Sequence, residues 1–325
     1  MANRKRRKRR APRLAQIRRK RRRFIVVLSV IALLAGVGGF LFHSNPAWWN
    51  RVTDAAIEIW DGITGFFGGS ANIAEGYVHV HFIDVGQGDA VLIHAAEGAV
   101  LIDGGDNPMG GRVLEYIRNQ GIRELTYVIA THPHADHIGG LIAVVNEMPI
   151  GTLIMPQIAH NTRTFERFID ALENNDINVK APVAGETFLV GDVVFTIIAP
   201  VYNHYANIND HSVSLRLVFG DISFVFTGDA EVASERDMVA SGRNLSADVL
   251  HVGHHGSTTS TTEVFLDAVS PGIAVISVGA DNGHGHPHGA VVTRLISHGV
   301  RIYRTDIHGN IVIVTDGENV WTTHD

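Results

Sequence analysis

Short apolar runs alternate with helical patterns along the chain from residue 77 onward, and Gly-rich turns separate many of them. The runs with strand character are those at 78–83, 90–93, 99–102, 127–130, 193–198, 213–219, 222–227, 249–252, 274–278, 302–303 and 311–314. The helical patterns are those at 112–120, 139–146, 164–174, 231–241, 263–268 and 290–298. Interleaved strands and helices with many hairpin-like pairs predict an α+β domain at 77–325, with helices on the outer faces of its sheets.

The first 76 residues follow a different pattern. Residues 1–23 carry 14 Lys or Arg and no acidic residue, and residues 24–42 then run for 19 positions without a charge. About 20 apolar residues span the hydrocarbon layer of a membrane, and flanking positive charges keep that side in the cytoplasm. The sequence therefore predicts a basic cytoplasmic tail at 1–23, a single transmembrane helix at 24–42 and an extracytoplasmic domain beyond it.

A cleaved signal peptide is the alternative for this segment, and it would make the protein secreted. Signal peptides have a shorter apolar core, followed by a small-x-small cleavage site. The run at 24–42 is longer and continues into His43 without such a site, which favours the anchor. Residues 43–76 are predicted to be an amphipathic helix with a short linker; the helix lies at the membrane interface or packs on the domain.

The amino-acid composition excludes some kinds of active site and bears on the affinity for nucleic acid. The chain has 19 His and no Cys, which excludes a thiolate metal site, a disulfide framework and a Cys nucleophile. Residues 77–325 contain 29 acidic and 12 basic residues, a net charge of −17. Proteins that bind nucleic acid nonspecifically use Lys and Arg to neutralise phosphates, so we expect weak nonspecific affinity for DNA.

Four residues with ligand side chains lie within six positions after the predicted strand at 127–130: His132, His134, Asp136 and His137. A tight turn there would direct the first two side chains to one point and the last two to a neighbouring point. Imidazole nitrogen and carboxylate oxygen suit zinc, manganese or iron. The spacing therefore predicts two mixed metal sites rather than one closed structural site.

This segment resembles the signature of the metallo-β-lactamase superfamily, Thr-His-x-His-x-Asp-His-x-Gly-Gly, at residues 131–140. Three further segments resemble later parts of that pattern: residues 101–105 (LIDGG), 226–229 (FTGD) and 254–255 (HH). The resemblance implies an αββα sandwich. It also implies that Asp103 orients a ligand histidine, that Asp229 bridges two metals, and that His254 or His255 is the last ligand.

Within the superfamily, the chain is most similar to the hydrolase domain of the competence-type DNA-uptake (ComEC family) proteins. The segments that carry this likeness are 82–89 (FIDVGQGD), 252–257 (VGHHGS), 285–288 (GHPH) and 303–306 (YRTD). Those proteins also have a large multi-span channel, whereas this sequence shows one candidate span. A role in importing DNA is therefore not carried over. Asp84, Gln87 and Asp89 lie in a Gly-rich turn, where they either shape the loop or contact the substrate.

One segment departs from the uptake-type pattern. Residues 209–212 read NDHS, where the uptake-type relatives usually have Asn at the third place and the wider superfamily has a ligand histidine in this region. We therefore expect His211 to be a metal ligand, with a turn cap before Val213 as the alternative.

These assignments predict two divalent transition-metal ions, zinc first and manganese as the alternative. The first ion would be held by His132, His134 and His211, and the second by Asp136, His137 and His255 or His254, with Asp229 between them. His286 would protonate the leaving group or hold a phosphate oxygen, or else be a solvated loop residue. Asp136, Asp103 and His286 are thus the candidate catalytic residues.

The expected function is that of a membrane-anchored, extracytoplasmic two-metal hydrolase. A hydroxide held by two cations is a nucleophile at neutral pH and suits phosphodiesters, so we expect a phosphodiesterase or nuclease. Its substrate would be a small or wall-linked phosphodiester, or a short single-stranded nucleic acid. Two alternatives remain open: an ester or amide hydrolase of the β-lactam type, and a noncatalytic metal-binding surface domain.

Overall fold

The computed structural model describes residues 76–324, which lie within one compact unit of the chain. The predicted basic tail, anchor and amphipathic segment at 1–75 lie outside the described residues. Within residues 76–324, every helix is too short or too polar to span a bilayer.

Fifteen strands form two sheets at the centre of the described domain. The first sheet contains β1 (Val78–Phe82), β2 (Val91–Ala95), β3 (Gly98–Ile102), β4 (Leu125–Ile129), β5 (Ile150–Ile154), β6 (Val179–Lys180), β14 (Ile311–Thr315) and β15 (Val320–Thr322). The second contains β7 (Thr187–Val190), β8 (Val193–Ala199), β9 (Ser214–Phe219), β10 (Ile222–Phe226), β11 (Val249–His251), β12 (Ile273–Ile276) and β13 (Arg301–Arg304).

The spatial order of the strands shows how distant parts of the chain meet. The first sheet runs β15-β14-β1-β2-β3-β4-β5-β6, so β1 pairs antiparallel with β14 from the end of the domain. The second sheet runs β13-β12-β11-β10-β9-β8-β7. Strands β3, β4, β5 and β6 are parallel to one another, as are β10, β11, β12 and β13.

Helices cover the outer face of each sheet. Their bounds are α1 (Gly110–Asn119), α2 (Ala135–Ile138), α3 (Leu141–Glu147), α4 (Arg163–Asn174), α5 (Val232–Ala240), α6 (Glu263–Val269), α7 (Gly289–Ser297) and α8 (Thr305–His308). Apolar residues of α1, α3 and α4 pack on Leu92, Leu101 and Val128 of the first sheet. Residues of α5, α6 and α7 pack on Val225 and Leu250 of the second sheet.

The inner faces of the two sheets form the main core. Side chains alternate along a strand, so Ile93 and Val100 point to the partner sheet while Leu92 and Leu101 point to the helices. Phe82 of one sheet lies 6.3 Å from Phe226 of the other, measured between ring centroids. Both faces of the central strands are buried, which explains why they read as continuous apolar runs. The αββα sandwich predicted from the sequence is confirmed.

The topology brings four loops to one edge of the sandwich. Parallel strands β3 and β4 end at Ile102 and Ile129, and β10 and β11 end at Phe226 and His251. The segments that follow these ends carry the ligand-type residues predicted above. They meet because the carboxyl ends of parallel strands lie at the same edge of a sheet.

We expect two Gly-to-Ala substitutions to change stability in opposite directions. A Cβ atom on Gly140 would overlap the carbonyl oxygen of Gly104, whereas one on Gly111 of α1 would meet no atom within 4 Å. Gly140→Ala should lower the free energy of unfolding by about 1–3 kcal/mol. Gly111→Ala should raise it by up to about 1 kcal/mol. Urea denaturation of both variants measures this, and equal effects would contradict the packing described.

A second expectation concerns the pH dependence of stability. Glu235 of α5 is fully buried, and burial raises the pKa of its carboxyl to about 7 despite hydrogen bonds from the Thr262 and Thr261 backbone N–H groups. The folded chain therefore holds this proton more tightly than the unfolded chain. Its contribution to stability is present below the unfolded pKa and is lost as the pH rises to about 7.

Glu235→Gln does not titrate, so it isolates this effect. The free energy of unfolding of the wild type, minus that of the variant, should fall by about 3 kcal/mol between pH 4 and pH 8. Urea denaturation of both metal-free proteins at the two pH values measures the difference, in which the other titrating groups cancel. A difference that does not vary with pH would show that Glu235 ionises normally.

Candidate metal centre

The histidine loop leaves the sheet directly after β4. The Thr131 carbonyl accepts a hydrogen bond from the Val213 N–H at 2.9 Å, which fixes the loop against the second sheet. His134 then forms the N-terminal boundary of the one-turn helix α2, which carries Asp136 and His137. His132 and His134 therefore point to one position, and Asp136 and His137 to another.

The first group consists of His132, His134 and Asp229, whose candidate ligand atoms lie within 4.8 Å of one another. His132 Nε2 is 2.9 Å from His134 Nδ1 and 3.6 Å from Asp229 Oδ2. The other nitrogen of His132, Nδ1, is 3.1 Å from Thr131 Oγ1. That hydroxyl donates to Asp103, so it accepts from the His132 ring, which leaves Nε2 free as a ligand.

The second group consists of Asp136, His137 and His255, with Asp229 beside it. His137 Nε2 is 3.3 Å from Asp229 Oδ1, and His255 Nε2 is 3.4 Å from Asp136 Oδ2. Two ligands of a tetrahedral zinc ion, each bound at about 2.1 Å, lie about 3.4 Å apart. The spacing of the second group therefore fits one cation.

Three buried atoms support this fit. His137 Nε2, His255 Nε2 and Asp229 Oδ1 are all buried and have no hydrogen-bond partner. Buried polar atoms without a partner destabilise a protein, so such a cluster needs an explanation. Nitrogen and carboxylate donors without sulfur suit divalent ions such as zinc or manganese. The cluster is thus consistent with divalent-metal binding, with Asp229 between the two groups.

Asp103 holds the histidine loop from behind. Its carboxylate is inaccessible to solvent and accepts from the Thr131 N–H at 2.8 Å, the Thr131 hydroxyl at 2.7 Å and His137 Nδ1 at 2.8 Å. Donation from Nδ1 leaves His137 Nε2 as the available ligand atom. Such carboxylate partners orient ligand histidines in metal sites.

The charges at the centre perturb one another strongly. Burial alone would lower the pKa of His137, but the carboxylates of Asp229 and Asp103 outweigh it and raise that pKa well above the ordinary value. The pKa of His255 is raised in the same way, burial again being outweighed by Asp229 and Asp89. Burial would raise the pKa of Asp229, yet the His137 and His255 rings hold it well below its usual range. Cations bound here would take over the role of these imidazole protons.

The loop after β11 has an unusual backbone. His254 and His255 both have positive φ, 49° and 54°, a conformation that costs a non-glycine residue of order 1–3 kcal/mol. This geometry separates the two rings. His255 is buried in the second group, whereas His254 lies at the rim, with Nε2 3.6 Å from Asp229 Oδ2 and Nδ1 3.1 Å from Glu231. The sequence left these two histidines as alternatives; both lie at the centre, in different positions.

A cavity of about 390 Å³ opens above the two groups. Its lining residues are Gln87, Asp106, His134, Ala135, Asp136, Asp229, His254, His255, His284 and His286. The His286 ring lies 5.5 Å from that of His254. Burial and then the neighbouring His255 and His254 lower the pKa of His286 to about 4, so its ring is neutral at pH 7. A neutral ring binds by hydrogen bonding rather than by charge.

The structure does not bring His211 into either group. His211 ends a 3-10 helix at Ile208–His211, and its Nε2 lies 3.0 Å from the carbonyl oxygen of Tyr205. The next residue faces the centre instead: Ser212 Oγ is 3.4 Å from His132 Nδ1 and accepts from the Asp229 N–H. The ligand prediction was one position away from the side chain that the turn directs inward.

Sequence reasoning also gave no metal-site role to Asp89. This residue is buried, and its Oδ1 lies 3.2 Å from His255 Nδ1. The signal available was a carboxylate between a Gly-rich turn and the apolar run at 90–93, a place where an unpaired charge is costly.

Comparison with known proteins agrees with this geometry. The model of the metallo-beta-lactamase superfamily matches residues 83–280. The chain belongs to the metallo-β-lactamase superfamily. Members of this superfamily are generally metal-dependent hydrolases, and the histidine and aspartate cluster of the described domain is consistent with divalent-metal binding.

Three of the similar curated proteins are competence or recombination proteins. ComE operon protein 3 of Bacillus subtilis is 32% identical over 250 residues, which cover 71% of this chain and 32% of that protein. Competence protein ComA of Neisseria gonorrhoeae is 32% identical over 228 residues, covering 70% and 30%. Recombination protein 2 of Haemophilus influenzae is 31% identical over 237 residues, covering 71% and 28%. The predicted likeness to the competence-type domain is confirmed, and the chain spans about a third of the length of these relatives.

The placement of His211 leads to a direct test. His211→Ala should bind the same number of zinc ions as the wild type, because its ring faces Tyr205. His134→Ala should lose zinc from the first group, because it removes one of three ligand atoms. Metal analysis after dialysis against a weak chelator compares the two variants. Loss of an ion from His211→Ala would return that residue to the ligand set.

Proposed function

We propose that this member of the metallo-β-lactamase superfamily is a metal-dependent phosphodiesterase. The observation that carries the proposal is the pair of ligand groups, joined by Asp229, at the base of an open cavity. Two divalent cations bound there would lower the pKa of a coordinated water and neutralise the attacking and leaving oxygens of an in-line displacement. No Ser or Cys nucleophile is then needed.

The side chains of the cavity would position the substrate. His254 and His286 line one wall, and Gln87 and Asp106 also reach the cavity. Neutral imidazole and amide N–H groups donate hydrogen bonds to phosphate oxygens. We therefore assign substrate positioning to His286, whose ring lines the cavity 5.5 Å from that of His254. Asp103 acts through the histidine loop and not on the substrate.

Charge limits the substrate to short or small phosphodiesters. The lining residues of the cavity, all in the described part of the chain, include no Lys or Arg. Residues 77–325 also carry a net charge of −17. A long polyanion would gain little from counterion release at such a surface. The substrate needs to place only one phosphate at the metal centre. A small or wall-linked phosphodiester, or a short single-stranded nucleic acid, can do this.

We further propose that the domain is tethered outside the cytoplasm by residues 24–42. The support is the sequence pattern of 14 basic residues followed by 19 uncharged ones. In this arrangement the substrate is encountered at the outer surface of the membrane. Secretion after cleavage is the alternative location, and the mass of the mature N-terminus distinguishes the two.

The proposed reaction is tested on a substrate panel. The zinc- or manganese-loaded protein should cleave a bis-aryl phosphate, and Asp136→Ala and His132→Ala should each lose at least about 100-fold in kcat/KM, because each removes a ligand. Gly111→Ala, at an exposed position that does not line the cavity, serves as the folded control. Single-stranded DNA, plasmid DNA and a chromogenic β-lactam complete the panel.

The results on the panel distinguish the alternative functions. Cleavage of the β-lactam alone would favour an amide hydrolase, and a loaded protein inactive on every substrate would favour a noncatalytic metal-binding domain. Full activity in both ligand variants would contradict the assigned centre.

A further inference from the structure

Asp89 is a buried carboxylate that the proposed reaction leaves without a role. It follows the Gly-rich turn after β1, and only 2% of its surface is accessible. Its Oδ1 lies 3.2 Å from His255 Nδ1 and 3.7 Å from His251 Nε2. A buried carboxylate is costly unless it is paired or hydrogen-bonded, and the two imidazoles are the partners available to it.

The side chain of Asp89 is not needed to shape its loop. The backbone does this: the Asp89 N–H donates to the Asp136 carbonyl at 3.2 Å, and its carbonyl accepts from the Gly105 N–H at 2.8 Å. Asp84, earlier in the same turn, has the opposite role. Its side chain accepts from the Gly86 N–H at 3.0 Å and pairs with Arg112 at the surface.

The tautomer of His255 follows from a second contact. His255 Nδ1 is 3.0 Å from the carbonyl oxygen of Ser277, an atom that only accepts hydrogen bonds. Nδ1 must therefore carry a proton. His255 Nε2 is then available as a ligand atom. It is the nitrogen that faces Asp136 and Asp229, and it has no hydrogen-bond partner.

We propose that Asp89 is a positioning residue for the metal centre, whose carboxylate shares the His255 Nδ1–H with the Ser277 carbonyl and so directs Nε2 to the second group. It would do for His255 what Asp103 does for His137, whose Nδ1 lies 2.8 Å from Asp103. Both rings of the second group then have a buried carboxylate behind them. Such partners fix the ring and make the ligand nitrogen more basic.

A role for Asp89 as a direct ligand fits less well. Asp89, Asp229 and His255 are close enough to hold an ion, but Asp89 faces the protonated side of the His255 ring. A cation there would have to displace the Nδ1 proton and its bond to Ser277.

This inference rests on the metal-binding part of the proposed function, so its test measures metal affinity and not hydrolysis. Zinc binding by the full chain is measured in competition with a chromogenic chelator. Asp89→Asn keeps the shape and removes the charge, and it should weaken binding of one of the two ions about 10- to 100-fold. Asp84→Asn, the matched control in the same turn, should bind both ions as the wild type does.

The outcomes separate the alternatives. Wild-type affinity for both ions in Asp89→Asn, or an equal loss in Asp84→Asn, overturns the proposal. Loss of the ion beyond detection in Asp89→Asn, as for a removed ligand, overturns it in favour of direct coordination. A wild type that binds two zinc ions but cleaves no bis-aryl phosphate contradicts the proposed reaction only, and the comparison of affinities stands.

If Asp89→Asn does not fold, a measurement on the wild type tests the proposal instead. Ring nitrogen NMR of the zinc-loaded protein should show His255 protonated at Nδ1, with a downfield proton like that of His137, which faces a carboxylate. His132 is the internal reference, because its Nδ1 faces hydroxyl groups. A His255 proton that matches the one on His132, or a proton on Nε2, overturns the proposal.

Discussion

Buried carboxylates at the centre of this protein need partners that compensate their negative charge, and this need determines how the surrounding loops are arranged. Asp103 and Asp229 have almost no contact with solvent, and an uncompensated charge at such a depth costs several kcal/mol. Their partners come from different loops: Thr131 and His137 follow β4, and His255 follows β11. Asp229, which follows β10, therefore joins loops of both sheets, whereas Asp103, which follows β3, joins two loops of the first sheet. The loops are held by the same charges that make the site suitable for cations.

Much of this arrangement could be predicted because it is local in the sequence. The spacing of His132, His134, Asp136 and His137 within one loop already limits where their side chains point. The α+β class was equally accessible, because a strand buried on both faces reads as an unbroken apolar run, whereas the αββα sandwich was implied by the resemblance to the superfamily. The predicted helix at 139–146 is α3, which begins only at Leu141; the one-turn helix α2 before it was not predicted, and Gly139 and Gly140 separate the two. Gly140 there lies against the Gly104 carbonyl, a contact that no local pattern reports.

The features that could not be predicted depend on tertiary contacts or on weak patterns. His211 and Ser212 are adjacent, and only the end of the 3-10 helix determines which of them faces His132. Asp89 acquires its environment from His251 and His255, which are more than 150 residues away in the chain. Strand β7 was missed because it has only four residues, TFLV, which are too few to show a periodicity in the sequence.

The pairing of β1 with β14 sets the order in which this domain can be completed. The two strands are about 230 residues apart, and every residue of the two ligand groups lies between them. At 5–20 residues per second, synthesis leaves the edge of β1 without its partner for about 10–50 s. An unpaired apolar edge invites association with other chains. The segment that ends this vulnerable interval, Ile311–Thr315, contributes nothing to the chemistry of the site.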